Sequence, residues 1–276
     1  MQLRVESKEL LDAITSVKGA GKYSVASGLK GDSIGDFTFL VQLNDSLEVW
    51  NADAGFILRV SIPLVEVSQE EANTVWTQTK DLGVNATLRI SEIIPILKKF
   101  KGQITIEGGT RLTITDTSSN QFTLNTVQVH PSLDVIHRVS AMNRITVEEG
   151  MPYFNTTQYE GHISMDAKVF SRTMEFCELV GTGIYEIDFK AVSDTPTLES
   201  PSVRFSSTDR GRKSYSHELT TEELLHSTGQ SATVLFSGPI HKFFKSGTIE
   251  FYLKDAFPLL LLGEDRLLIK TPRLEE

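Results

Sequence analysis

Hydrophobic and polar positions follow the same succession of patterns in both halves of the chain. Residues 3–14 consist of a short alternating strand, a polar cap and apolar residues at helical spacing, and residues 163–174 repeat this order. Each segment leads into a Gly-x-Gly-x-Tyr sequence, at residues 19–23 and 181–185, where a strand is predicted to start. Because an internal repeat determines a fold, the chain is predicted to contain two copies of one structural unit.

The second part of the repeat adds more strands and another helix to each copy. Alternating strands that end in an Asp-x-Gly turn are predicted at residues 46–55 and 202–211, and the turns lead into strands at 56–62 and 213–219. Second helices are expected at 91–101 and 237–245, each with a proline in the first turn, where the missing N–H has no helical partner. The two halves are predicted to close with strands at 103–107, 112–115 and 121–126, and at 248–253, 259–262 and 266–270.

These elements predict an α+β protein of two similar domains, each with an antiparallel sheet covered on its inner face by helices. We expect an N-terminal domain at 1–128 and a C-terminal domain at 161–276. The intervening residues 129–160 have weak periodicity and several breakers, among them Pro131, Gly150 and Pro152, and are predicted to be a linker.

Composition narrows the class of protein. The 276 residues are 39% hydrophobic and 23% charged, which excludes a disordered, collagenous or disulfide-scaffold chain. The formal net charge of -9 argues against a chain that is basic over its whole surface, but a local basic stripe remains compatible with it.

The single cysteine, Cys177, lies in a helical pattern and is interpreted as a buried apolar residue in a reducing compartment. With no signal-peptide pattern and no apolar run long enough to cross a bilayer, we expect a cytoplasmic or nuclear protein without membrane contact.

Motifs for catalysis or cofactor binding are missing from the sequence. The six histidines form neither an HExxH motif nor an i,i+4 pair, and no nucleophile elbow, phosphate-binding loop or EF-hand loop occurs. We therefore predict no catalytic residue, metal or cofactor. The alternative is an acidic enzyme with Asp53 and Asp209 as paired carboxylates, although aspartates in Asp-x-Gly turns are better explained as turn formers.

Basic residues are concentrated on the predicted helices. Lys98, Lys99 and Lys101 crowd the end of one helix, and the equivalent helix of the second half carries Lys242 and Lys245, while its first helix carries Lys168 and Arg172. One interpretation is a solvated face with cations that favour helix C-termini. The other is that equivalent helices present cations to one surface, which suits contact with a phosphate backbone without base recognition.

Together these features resemble the DNA sliding clamp family, in the two-domain proliferating cell nuclear antigen (PCNA) form of archaea and eukaryotes. The resemblance rests on the duplicated strand-helix-strand order, the helix at 94–100, the pair Phe243-Phe244 and, above all, the C-terminal residues 255–260 and 265–276. The last segment is similar to the family's final hairpin and its proline-containing acidic tail. The resemblance spans essentially the whole chain.

The resemblance implies a homotrimeric ring with sheets outside and helices lining a pore around double-stranded DNA. Such a ring tethers DNA polymerase, and its partners include a clamp loader and other replication and repair proteins. The DNA-facing candidates that it implies are Lys98, Lys99, Lys101, Lys168, Arg172, Lys242 and Lys245. The first helix departs from the family pattern with Asp12 and Ala13 at its middle, which leaves Lys8 and Lys18 as its candidates.

Two further sites are implied by the same resemblance. Subunits would pair through the edge strands at 121–127 and 213–219, with Phe122, Leu124, Tyr215 and His217 as contacts. Partner peptides would bind a pocket beneath the linker formed by Phe56, Leu58, Val139, Met142, Pro258, Ile269, Thr271 and Pro272. Ordinary core and hairpin packing is the alternative role for the pocket residues. Within the same fold, the alternative function is a specialised ring subunit of viral, checkpoint or heterotrimeric type.

Overall fold

The computed structural model describes residues 2–20, 36–43, 46–53, 55–65, 85–108, 111–126, 146–148, 151–153, 156–192, 200–209 and 211–273. The chain divides into two compact units. Unit 1 contains Met1–Asp53 and Leu58–Ile136, and unit 2 contains Ala54–Ile57 and His137–Glu276. Antiparallel strands with a few helices make up both units, which confirms the predicted α+β class.

Among its described residues, unit 1 has two antiparallel sheets and two helices. Its helices are α1 (Ser7–Ala20) and α2 (Ile90–Leu97). Its strands are β1 (Gln2–Glu6), β2 (Phe37–Leu43), β3 (Ser46–Asp53), β4 (Phe56–Pro63), β5 (Asn85–Arg89), β6 (Gln103–Gly108), β7 (Arg111–Asp116) and β8 (Gln121–Asn125). The first two residues of β4 are counted with unit 2. One sheet has the order β1-β6-β7-β8, and the strands of the other follow the order β4-β3-β2-β5.

The described part of unit 2 contains one α-helix, α3 (Ala167–Glu178), and 3₁₀ turns at Thr156–Gln158 and Ile240–Phe243. A short hairpin of β9 (Thr146–Glu148) and β10 (Met151–Tyr153) falls within the predicted linker. The remaining strands are β11 (Gly161–Asp166), β12 (Ile184–Lys190), β13 (Ser202–Asp209), β14 (Lys213–Glu218), β15 (Leu224–Gly229), β16 (Ala232–Ser237), β17 (Thr248–Leu253), β18 (Leu259–Leu262) and β19 (Arg266–Lys270). They follow the orders β14-β13-β12-β16 and β15-β11-β17-β18-β19.

The strand orders confirm the internal duplication. The order β4-β3-β2-β5 in unit 1 matches β14-β13-β12-β16 in unit 2, and β1-β6-β7-β8 matches β11-β17-β18-β19. Unit 2 adds β15 beside β11. Each residue of one unit can therefore be compared with its repeat-equivalent in the other, and the second copy serves as an internal control.

The first helix of each unit buries one face at the same four positions. In α1 these are Leu10, Ala13, Ile14 and Val17, a spacing of i, i+3, i+4 and i+7. In α3 the equivalents are Phe170, Thr173, Met174 and Cys177. Contacts of α1 with β1, β2 and β3, and of α3 with β11, β13 and β14, place this face on the sheets. Burial of a large apolar side chain stabilises by about 1.5–3 kcal/mol, so the stripe anchors the helix and leaves its opposite face to solvent.

The second helix of each unit differs from its prediction. The helix predicted at 91–101 ends at Leu97, and Pro95 lies in its second turn, where it removes the N–H that would bond to the carbonyl of Ser91. The helix predicted at 237–245 is wrong, because only the 3₁₀ turn Ile240–Phe243 forms and Phe244 is extended. The buried guanidinium of Arg266 donates to the carbonyl of Phe243 over 2.8 Å and satisfies the end of this short turn.

No helix in the described part of the chain is long and apolar enough to cross a membrane.

Cys177 is expected to be unreactive in the folded protein, which agrees with its interpretation as a core residue. It is 1% exposed, and burial raises the pKa of its thiol to about 11, so little thiolate exists near neutral pH. An aromatic disulfide reagent should label the thiol only in denaturant, and rapid labelling of the native protein would contradict the packing of α3.

The substitution Cys177→Val, which copies Val17 of the first repeat, should change the free energy of unfolding by less than about 1.5 kcal/mol.

Candidate functional site

The predicted cations of unit 1 are exposed at the end of α2. Lys98 caps the helix, where its backbone N–H donates to the carbonyl of Ile94 over 3.1 Å, and Lys99 and Lys101 follow it. Within the described part of the chain, these three lysines have no carboxylate at ion-pair distance. α1 contacts α2, so the exposed Lys8 and Lys18 of α1 belong to the same helical layer.

The predicted cations of unit 2 lie around α3 and the 3₁₀ turn. Asp166 caps α3 by accepting the backbone N–H of Lys168 over 2.8 Å, which leaves the Lys168 side chain exposed in the first turn. Lys242 on the 3₁₀ turn and the exposed Lys245 beyond it complete the set. The 3₁₀ turn contacts α3, and Lys242 reaches Glu178 at the end of that helix, whereas Lys168 lies in its first turn.

Arg172 and Lys242 are held by carboxylates. Arg172 forms an ion pair with Glu223, and the ammonium of Lys242 lies 3.3 Å from a carboxylate oxygen of Glu178. Arg172 is 61% exposed and Lys242 is 53% exposed, so both pairs face solvent. Exposed ion pairs contribute at most about 1 kcal/mol, and these cations can therefore exchange partners at small cost.

The sequence did not indicate the buried histidine beneath this surface. His241 is fully buried in the 3₁₀ turn, and neither ring nitrogen has a hydrogen-bond partner among the described residues. A carboxylate oxygen of Glu178 lies 3.9 Å from Nε2. Burial lowers the pKa of His241, Glu178 partly opposes this effect, and Lys242 reinforces it. The apolar neighbours Ile240, Phe243 and Phe244 were the only signal that this position faces the core.

The two strands predicted to pair between subunits both lie at sheet edges in the described structure. β8 ends the sheet of β1, β6 and β7, and its Phe122 is 46% exposed beside the ring of Phe100. β14 ends the other sheet, in unit 2. There Tyr215 stacks on the exposed ring of Phe176, with centroids 5.5 Å apart, and His217 lies 3.0 Å from Glu223.

Comparison of the repeats shows that both edges are exposed where their counterparts are buried. All five residues of β19 are buried, whereas no residue of its equivalent β8 is buried. Likewise β4 buries five of its eight residues, whereas its equivalent β14 buries none. Exposed edge strands offer unpaired N–H and C=O groups to another chain.

The residues predicted to form a peptide pocket are mostly buried. Phe56, Leu58, Pro258 and Ile269 are buried, and Thr271 and Pro272 are half-buried. Within unit 2, the backbone N–H of Thr271 donates to the carbonyl of Gly55 over 3.1 Å, and this bond fixes the end of β19 beside the turn that precedes Phe56. Val139 and Met142 lie outside the described residues.

The described residues contain no group of three or more His, Cys, Asp and Glu side chains that could hold a metal ion. Asp209 is half-exposed at the end of β13, where its backbone carbonyl accepts the N–H of Arg212 over 3.0 Å, as in a turn. The side chain of Asp53 lies outside the part of the chain that the structure describes.

Solved structures that resemble the whole chain are sliding clamps. The PCNA of A. fulgidus, solved with the C-terminal region of FEN-1, matches with a TM-score of 0.64 and 15% identity over 100% of this chain and 99% of that one. The PCNA2–PCNA3 complex of Sulfolobus tokodaii matches with a TM-score of 0.63 and 16% identity over 100% of both chains. The DNA polymerase III β subunit of Thermotoga maritima matches with a TM-score of 0.67 and 12% identity over all of this chain but 66% of its own length. No protein-family model and no curated protein sequence matches the chain.

The chain therefore has the DNA sliding clamp fold, as the sequence resemblance implied. It matches the two archaeal PCNA chains over essentially their full length, whereas it spans about two thirds of the bacterial clamp.

The buried His241 predicts that stability falls in mild acid. Its pKa in the folded chain lies below the unfolded value of about 6.5, so the unfolded chain binds the proton first as the pH falls through that value. The free energy of unfolding, measured with urea, should be constant above about pH 7 and decrease towards pH 5. His241→Leu should make this dependence shallower, and His162, whose pKa burial also lowers, should retain part of it. The exposed His226→Gln should leave the contribution of His241 in place. An equal slope in the wild type and His241→Leu would contradict the prediction.

Proposed function

We propose that this protein is a sliding clamp, a non-catalytic ring that encircles duplex DNA and tethers DNA polymerase and other replication and repair enzymes. The observation that carries the proposal is the pair of exposed edges, β8 and β14, on a chain with the clamp fold. A chain with one such edge in each repeat can pair head to tail with copies of itself.

Head-to-tail pairing of β8 with β14 of the next copy is a heterologous contact, and such contacts form a closed ring when the rotation per chain fits. Three chains of two repeats would give a ring of six similar units. Phe122 and Leu124 on β8, and Tyr215 and His217 on β14, would be covered in this contact. The exposed Phe176 of α3 supports the assignment, since its ring stacks on Tyr215 and extends the apolar surface there.

The cations of the helical layers would contact the phosphate backbone. Contacts with phosphates alone carry no sequence information, which suits a protein that must move along DNA. The DNA-facing set consists of Lys98, Lys99, Lys101, Lys168, Arg172, Lys242 and Lys245. The net charge of -9 leaves an acidic remainder, which would limit non-specific adhesion of the rest of the molecule to DNA.

Partner enzymes would bind through a short peptide with apolar anchors. The A. fulgidus PCNA was solved with the C-terminal region of FEN-1 and the Helicobacter pylori β clamp with a DNA ligase peptide, which supports peptide capture as the tethering mode of this fold. In this chain the peptide would contact Phe56, Leu58, Val139, Met142, Pro258, Ile269, Thr271 and Pro272. Tethering raises the effective concentration of an enzyme at the DNA without any tighter contact with DNA itself.

The subunit contact predicts complementary assembly defects. The wild type should have about three times the 30.7 kDa mass of one chain by light scattering. Phe122→Asp and Tyr215→Asp should each give single chains, because a charge on either edge strand opposes its burial. An equimolar mixture of the two variants should give dimers, since each retains the edge that the other lost. Leu225→Asp is the control, because Leu225 is 55% exposed but lies on β15. A wild type of single-chain mass, or trimers in both edge variants, would contradict the proposed contact.

The clamp mechanism predicts retention on DNA by topology. Once loaded on nicked circular DNA that is then sealed, the wild-type ring should remain bound in high salt and be released when the circle is cut. Binding through phosphate contacts alone would instead be lost as salt is raised. Lys98→Glu combined with Lys99→Glu should reduce loading and leave the trimer intact. Release from intact circles at high salt would overturn the proposed function.

A further inference from the structure

Glu178 occupies a position from which it competes with DNA for a cation of unit 2. Its carboxylate lies at the end of α3 and accepts two contacts from the ammonium of Lys242, of 3.3 and 3.4 Å. The Glu178 side chain is 28% exposed and that of Lys242 is 53% exposed, so an approaching phosphate can reach the same ammonium. The carboxylate thus stands where a phosphate oxygen would otherwise bind.

The first repeat shows that the clamp fold does not require this carboxylate. In the alignment that equates the buried stripes of α1 and α3, the equivalent of Glu178 is Lys18. The equivalent of Lys242 is Lys98, because Pro95 and Pro239 begin the same pattern of residues. In unit 1 this lysine has no carboxylate partner among the described residues, whereas in unit 2 its counterpart is paired.

A local structural role for Glu178 is limited. Both partners are largely exposed, and exposed ion pairs contribute at most about 1 kcal/mol to stability. The 3₁₀ turn that carries Lys242 is held independently by the buried Arg266, which donates to the carbonyl of Phe243. Removal of the Glu178 charge therefore leaves the turn in place and frees the lysine.

We propose that Glu178 sets the DNA affinity of the clamp by screening Lys242, so that phosphate contact is concentrated on the unpaired Lys98 of the first repeat. This inference rests on the proposed function. The two repeats of each chain then hold DNA unequally, and the weaker repeat keeps total affinity low enough for movement along the duplex. Glu178 is an affinity-setting residue that acts through Lys242 and does not itself contact DNA.

The test is a double-mutant cycle of Glu178→Gln and Lys242→Gln, with binding to a short linear duplex measured by fluorescence anisotropy over a range of salt. Measurements at about pH 8 keep the buried His241 neutral. Glu178→Gln should tighten DNA binding by about two- to fivefold per chain. The plot of log affinity against log salt concentration should become steeper by about the amount that one additional phosphate contact gives. Lys242→Gln alone should weaken binding less than Lys98→Gln does, because Glu178 already screens Lys242. In the double variant the gain from Glu178→Gln should be lost, because no lysine remains to be freed.

Matched variants separate screening from a general charge effect. Glu175→Gln makes the same change of charge on the same exposed side of α3, where Glu175 accepts only a 3.5 Å contact from Ser171 and no lysine. It should change binding less than Glu178→Gln does. Glu178→Lys, which copies Lys18, should bind DNA more tightly than Glu178→Gln. If the melting temperatures of the variants are unchanged, their differences in DNA affinity do not come from altered folding stability.

The outcomes also distinguish this inference from the proposed function. If Lys98→Gln weakens binding but Glu178→Gln behaves like Glu175→Gln, the screening is wrong and the clamp function stands. Equal losses in Lys98→Gln and Lys242→Gln would likewise overturn the screening, because Lys242 would already engage phosphate. If neither lysine variant alters binding and the protein is not retained on closed circles, the proposed function itself fails.

Discussion

The packing of one helix against the sheets at four buried positions is the interaction on which both units depend. Leu10, Ala13, Ile14 and Val17 do this in α1, and Phe170, Thr173, Met174 and Cys177 do it in α3. Since these positions form one narrow stripe, the rest of each helix surface is available for charge. The same packing explains how the two copies can differ on their exposed faces, as at Lys18 and Glu178, and still share one strand order.

Duplication of such a unit gives the chain two copies of the core and also two copies of each sheet edge. Open sheet edges carry unpaired backbone groups, and a soluble protein must pair or protect them. In this chain β19 and β4 are buried and their equivalents β8 and β14 are exposed. The polar and charged residues of β14, with the pair of His217 and Glu223 beside it, are compatible with solvent before assembly. The aromatic rings of Phe122 and Tyr215 would be covered in the proposed contact between chains.

The helical layers illustrate how local charge differs from net charge. The chain is acidic overall, yet Lys98, Lys99 and Lys101 meet at the end of one short helix. In unit 2 two of the corresponding cations are matched by Glu178 and Glu223. A layer that combines unpaired and paired cations attracts phosphates weakly, and weak attraction is what a ring that holds DNA by topology needs.

The sequence alone determined the repeat, most of the strands and the buried stripes, because these depend on periods of two and 3.6 residues in the chain. Strands β17, β18 and β19 have the predicted bounds, whereas β2, β5, β15 and β16 were not predicted. The tertiary structure decided what periodicity does not encode. The predicted second helix of unit 2 is one 3₁₀ turn, because Arg266, distant in sequence, satisfies its end and Phe244 is extended. It also decided that Lys242 is paired with Glu178, that Lys98 has no carboxylate partner in the described part of the chain, and that His241 is buried. Each of these facts depends on which side chain from another element lies within a few ångströms.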